Sequence, residues 1–194
     1  MPMTLLERLQ QLGPVSERQL QAVLKQGTEL KLKKGEFFSR PGEPATRFAI
    51  VLEGLLRHYY VDAKGRESVK AFRGPNELSA SYAEMLQAKP SRSFIQALEP
   101  ATLLCFDYAT FNRLADQSLE LQRLARRLTE AQFVGKEQRE HDFLQLSAEE
   151  RYQQFVRERG DHLAHVPLHH IASYIGITPV ALSRIRARLV KSRR

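Results

Sequence analysis

The sequence predicts an α+β fold: a block of short antiparallel strands set among helices and followed by a helical pair. Three observations predict it. Residues 28–107 break into short apolar or alternating runs bounded by Gly, Pro and Asp. Residues 108–144 carry apolar side chains at helical spacing. Residues 167–189 read as two short helices joined by a tight turn.

The elements follow in order. Residues 1–27 are helical in pattern, with Leu5, Leu6, Leu9 and Leu12, then Leu20, Val23 and Leu24, separated by Gly13-Pro14. Strands are expected at Phe48–Leu52, Leu55–Val61 and Ser93–Leu98, and Cys105 is expected as a small buried side chain in another. Asp62-Ala-Lys-Gly65 suits a hairpin turn, and Pro41–Pro44 and Arg73–Asn76 are further turn clusters. Many short strands with regular turn signals suit an antiparallel barrel, sandwich or roll.

Over residues 108–144, Leu114, Leu121 and Leu128 lie seven apart, with Leu124 and Ala131 between them. Such a stripe packs either on the chain's own strands or on the same helix of a second copy. Leu121, Leu124 and Leu128 are the candidate dimerisation residues. Ser147-Ala-Glu-Glu150 has the capping-box pattern that opens a helix, and Tyr152, Phe155 and Val156 are its apolar face.

The last segment can be argued residue by residue. Pro167 suits a first helical position, and Ile171, Ala172 and Ile175 share one face. Gly176 can adopt the left-handed conformation that ends a helix. Thr178 is a good N-cap with Pro179 after it, and Leu182, Ile185 and Leu189 form the second apolar face. This is the pattern of a helix-turn-helix, with any basic amphipathic hairpin as the plainer alternative.

Charge singles out the same segment. The chain has 194 residues and a net charge of +8. After Asp161 there is no acidic residue, whereas Arg184, Arg186, Arg188, Lys191, Arg193 and Arg194 are basic. The rest is close to neutral, so the surplus marks a local surface for a polyanion. Such a surface on a short helix suits the major groove of double-stranded DNA. Arg184, Arg186 and Arg188 supply its basic face.

Other chemistry is limited by composition. One cysteine excludes an internal disulfide and a four-thiolate iron–sulfur cluster. His162, His165, His169 and His170 cluster near the C-terminus, but no Cys or acidic partner lies close by after Asp161, and His169-His170 fall inside the helix-turn-helix pattern. They are read as solvated or phosphate-facing rather than as a metal site. For haem, His58 is the one candidate noted. No nucleophile–base arrangement suggests an enzyme. No apolar run approaches membrane-spanning length and no signal peptide is seen, so a cytoplasmic location is expected.

Taken together, the chain resembles the Crp/Fnr family of bacterial transcription regulators over essentially its full length. The segments that carry the resemblance are Leu32–Phe38 followed by Pro41-Gly42, Ile50–Gly54, Arg92–Ala97, Ser147–Tyr152 and Ile171–Pro179. It implies an N-terminal cyclic-nucleotide-binding-type β-roll (a double-stranded β-helix of jelly-roll type) over 1–112. It further implies a long dimerisation helix over 113–144 and a helix-turn-helix DNA-binding domain over 145–194. The implied partners are DNA, a second copy of the chain and RNA polymerase. The implied effector is a cyclic nucleotide such as cAMP, or another small molecule. A sensor or interaction module without sequence-specific DNA binding is the alternative.

In cAMP-binding members of the family a Gly-Glu-Leu run takes the ribose, and an Arg-Ser or Arg-Thr pair takes the cyclic phosphate. The resemblance therefore makes Glu77, Leu78, Arg92 and Ser93 the candidate effector residues. This chain departs from the pattern. Pro75-Asn76 precedes Glu77, and the interval to Arg92-Ser93 is longer. The favoured reading is a plain loop Glu and surface Arg beside a retained but emptied roll, so weak cAMP binding is expected. The recognition helix also departs, carrying Pro179 and Val180 where the best-known members place Arg and Glu, so a different operator is expected. It keeps Arg184 at the third position, so the resemblance makes Arg184 the candidate base contact, by its bidentate fork to guanine. Ser183, Thr178 and His169 are then candidate phosphate contacts, with Arg186 and Arg188 beside them.

Overall fold

The structure is a computed structural model and describes residues 15–163 and 165–191. The helix expected around Leu5–Leu12 lies outside them. Helix α1 (Glu17–Leu24) leads into eight strands: β1 (Thr28–Leu32), β2 (Phe37–Ser39), β3 (Arg47–Glu53), β4 (Leu56–Val61), β5 (Glu67–Arg73), β6 (Leu78–Ser79), β7 (Phe94–Ala97) and β8 (Ala101–Asp107). A short helix α2 (Tyr82–Leu86) interrupts them between β6 and β7.

The strands form two four-stranded antiparallel sheets, in the orders β1-β8-β3-β6 and β2-β7-β4-β5. Alternation buries one face of each sheet against the other. Leu32, Ala49, Val51 and Leu103 from the first sheet meet Phe38, Leu56, Ile95 and Ala97 from the second. Cys105 is part of the same core, and burial pushes its thiol up. The architecture is the expected antiparallel roll. The β4–β5 hairpin turns at Asp62–Gly65, where Asp62 Oδ1 accepts from the Lys64 and Arg66 amides at 2.8 and 3.0 Å. Gly54 closes the end of β3 at φ +85°. A Cβ there would lie 2.7 Å from Ala101 Cα, so only glycine fits.

The expected long helix is two. Helix α3 (Tyr108–Asp116) stops at Gln117, and α4 (Leu119–Gln145) restarts from Ser118, whose side chain accepts from the Leu121 amide. That cap gives the chain a helix start where apolar spacing alone shows continuity. Helices α5 (Ala148–Leu163), α6 (Leu168–Ile175) and α7 (Pro179–Lys191) follow. The capping box at α5 is reciprocal: Glu150 accepts from the Ser147 amide at 2.8 Å, and Ser147 Oγ from the Glu150 amide at 3.3 Å.

A second apolar cluster joins the roll to the C-terminal helices. Leu55, Tyr59, Val69 and Phe72 on the outer face of the β4–β5 hairpin pack with Phe155, Val166, Ile171, Ala172, Ile175 and Leu182. Each fully buried side chain of this size contributes about 1.5–3 kcal/mol. Apolar contact therefore provides most of the attachment, and the polar bridges described below fix its register.

Candidate functional site

The pair α6–α7 has the geometry its sequence implies. Gly176 sits at φ +82°, and its N–H reaches Ala172 O at 2.9 Å. Thr178 Oγ1 accepts from the Ala181 amide at 3.2 Å and so caps α7. Pro167 stands one position before α6, as its cap residue. A Cβ on Gly176 would lie 2.5 Å from the Phe143 ring, so the turn also seats α4. Ala172 is fully buried, and its small side chain lets the two helices approach.

Leu182 and Ile185 face inward from α7 and Leu189 is half-buried, while Thr178, Ser183, Arg184, Arg186 and Arg188 are exposed. His169 is exposed on α6. Among the described residues Arg184 and Arg186 make no ion pair, whereas Arg188 pairs with Glu149 of α5. The candidate DNA contacts thus lie on the solvent side of one short motif, with two guanidiniums that have no ion-pair partner among the described residues.

The four candidate effector residues are close in sequence to the cassette, but the structure gives the two charges separate partners. Glu77 accepts from the Gly74 amide at 2.8 Å and from both Arg159 Nη atoms, at 3.3 and 3.2 Å. Burial raises the Glu77 carboxyl, but Arg159, the Gly74 amide and Arg73 outweigh it and hold it below its ordinary value. Arg92 donates to Glu84 of α2 at 2.6 Å. Ser93 is buried with Ser81 and Ser91, where hydroxyls pair at 2.7 Å (Ser81–Ser91) and 3.3 Å (Ser81–Ser93). Leu78 is half-buried in β6, whose neighbour Ser79 lies 2.8 Å from His58 Nε2. His58 is buried, and burial, then Arg73 and Lys70, lower its pKa well below the ordinary value. Asn76 adopts φ +64°, a conformation that glycine would take without strain.

A set of residues not singled out in the sequence joins α6 to the roll. Arg57 of β4 is buried; it pairs with Glu67, donates to Gln96 Oε1 at 2.7 and 3.0 Å, and meets His170 Nδ1 at 2.9 Å. Its guanidinium lies 3.9 Å from the centre of the Tyr59 ring. Ser173 Oγ accepts from the Val69 amide at 2.9 Å and donates to Glu67 O at 3.0 Å. Arg139 of α4 donates to Tyr174 O at 2.8 Å and to Val69 O at 3.4 Å, so it touches all three parts. Arg151 donates to Ile175 O at 3.0 Å. His170 is therefore neither solvated nor phosphate-facing: it is buried against an arginine 113 positions away. Spacing on α6, with His170 beside the apolar Ile171, was the available signal. His165 pairs with Glu99 at 2.8 Å, and the His162 side chain lies outside what is described.

The leucines of the expected dimer seam are covered by their own chain. Leu121 and Leu124 pack with Val15, Leu20 and Ala115, and Leu128 lies at the edge of that cluster. Heptad spacing is shared by any helix with one buried stripe, which is why the partner could not be read from it. The large apolar side chains that α4 does expose are Leu119, Phe133, Val134, Phe143 and Leu144.

Among the described residues no group of His, Cys, Asp and Glu could hold a metal ion. None of their helices is long and apolar enough to cross a membrane.

Comparison with known proteins places this geometry. Residues 29–118 match the cyclic nucleotide-binding domain. The transcriptional activator protein Anr of Pseudomonas aeruginosa is 26% identical over 180 residues, covering 87% of this chain and 72% of that protein. The structure of FixK2 from Bradyrhizobium japonicum superposes with a TM-score of 0.74 at 22% identity, over 86% of this chain and 85% of that one. CLP of Xanthomonas campestris, a c-di-GMP responsive global regulator, superposes at 0.72 with 14% identity, over 91% and 93% of the two chains. A cyclic-nucleotide-type roll joined to a helix-turn-helix defines a class of transcription regulators, not of enzymes. Over most of its length the chain is similar to regulators of that class. The matched domain suggests a small effector.

Proposed function

We propose that the chain acts as a homodimer that binds a two-fold DNA site in the cytoplasm, inserting α7 into the major groove of each half-site. The observation that carries this reading is the outward side of α7. It exposes Ser183, Arg184 and Arg186 with no ion pair among the described residues, in a segment that has no acidic residue after Asp161. Arg184 contacts guanine. Thr178, Ser183 and His169 contact phosphates, with Arg186 and Arg188 beside them. RNA polymerase is the partner through which a DNA-bound regulator of this kind would act.

The long helix α4 carries the dimer contact. Because Leu121 and Leu124 face their own chain, the contact is drawn from the exposed Phe133 and Val134, with Leu128 at its margin. The roll answers to a small effector other than cAMP. Supporting this, Glu77 is engaged by Arg159 and Arg92 by Glu84, so a cyclic nucleotide would have to break two ion pairs on entry. Footprinting tests the reading: protection should fall on paired half-sites about one helical turn apart. Uniform, sequence-blind protection would favour a sensor module without specific DNA binding.

A further inference from the structure

One exposed apolar side chain stands in the middle of the candidate DNA surface. Val180 is the second residue of α7 and is 62% exposed. At about 100° per residue, Val180, Ser183, Arg184, Ala187 and Lys191 share the side opposite Leu182 and Ile185. Burial agrees, since the first five are exposed and the last two are buried. Arg186 and Arg188 fall on either flank. The outward side of α7 therefore has a small, apolar midline, Val180 and Ala187, between cationic margins.

We propose that Val180 is a specificity-determining residue that selects thymine by packing on its C5 methyl group. The inference rests on the DNA-binding reading above and deepens it. A recognition helix turns its midline to the base edges and its margins to the phosphate walls, and its N-terminal residues reach the bases first. Of the four bases, only thymine offers an apolar group in the major groove; the other edges offer donors and acceptors. An isopropyl group held against those edges would leave them without hydrogen-bond partners, which is unfavourable. Against a thymine methyl it covers apolar surface on both sides.

Arg184 is four residues further on, and at about 1.5 Å of rise per residue it lies about 6 Å along the helix. Base steps are about 3.4 Å. Each half-site should therefore hold a thymine read by Val180 within about two steps of the guanine read by Arg184.

The test uses the full chain. Random duplexes are selected for binding, and the enriched site is resynthesised with single thymines replaced by uracil, which lacks only the methyl group. One uracil position per half-site should lower affinity about fourfold, the worth of one buried methyl group. Val180→Ala should bind the thymine and uracil sites equally and keep its guanine preference. Its melting temperature should match the wild type, because Val180 is exposed. Uracil tolerated at every position, or a penalty undiminished in Val180→Ala, would overturn the assignment while leaving sequence-specific binding intact. If no sequence is enriched, DNA-specific binding fails and the assignment fails with it.

Discussion

Arg57 Nη1 and His170 Nδ1 lie 2.9 Å apart, across the junction between the roll and α6. A guanidinium can only donate, so Nδ1 must accept, and a neutral His170 then carries its proton on Nε2. A doubly protonated imidazolium could not make this contact and would face a buried cation. The junction is thus built around one protonation state of one histidine.

Acid should therefore loosen the docking of α6 on β5. Burial first, then Arg57 and His169, lower the His170 pKa to about 4, with Glu67 acting in the opposite direction. A released histidine titrates near about 6.5. Between those values the released form binds more protons, so docking is favoured above about pH 6.5 and is lost progressively as pH falls toward 4. Hydrogen exchange at the Val69 amide, held by Ser173 Oγ, should accelerate between pH 7.5 and 5 beyond the intrinsic trend. In His170→Gln that excess should vanish. An unchanged excess would remove His170 from the account.

Arg184→Ala should cost roughly 1–3 kcal/mol on the selected site and relax one base preference. Arg186→Ala should weaken selected and random duplexes alike and reduce the salt slope by about one. Binding titrations on both duplexes at several salt concentrations separate the two. Equal losses for Arg184→Ala on both would reduce it to a phosphate contact.

Charge on α4 should act differently at its two kinds of apolar position. Phe133→Asp with Val134→Asp should give folded monomers with weakened DNA binding, because each half loses the tethering of its twin. Leu124 is 4% exposed inside its own chain, so Leu124→Asp should destabilise the fold itself by several kcal/mol. Sedimentation and thermal melting report the two effects. A folded dimer in the Phe133/Val134 double variant would relocate the contact.

Calorimetry with cAMP should show binding weaker than about 0.1 mM, which is less than about 5.5 kcal/mol of binding free energy. The cassette charges are already paired, and Pro75 withholds one backbone donor from the loop. Micromolar binding abolished by Arg92→Ala would restore the cyclic-nucleotide reading of Glu77 and Arg92.

What could be read from the sequence was what depends on neighbours along the chain. Gly176 and Thr178 specify a turn and a cap within four residues. Ser147 with Glu150, and Asp62 with Gly65, do the same, and all are found. The alternation that signalled strands placed β3, β4 and β7 to within a residue or two. What escaped depends on long separations. Nothing near Arg57 indicates that it meets His170, and nothing near Leu121 indicates that Leu20 covers it. The resemblance points to Glu77, but its Arg159 partner is 82 positions away. The break at Ser118 was local, yet the leucine spacing across it masked the cap.

The contacts of Ser173 and Arg139 with β5 also bear on what becomes of the roll when it is alone. β5 is the last strand of its sheet, and the outward Val69 N–H, Val69 C=O and Glu67 C=O are all taken up by those two side chains. Removing the helices leaves a bare strand margin beside Phe72 and Tyr59, the kind of template on which chains stack side by side. The C-terminal helices therefore double as a chaperone for the roll. A truncation at about residue 145 should be recovered mainly as insoluble, strand-paired material unless another chain supplies the missing edge.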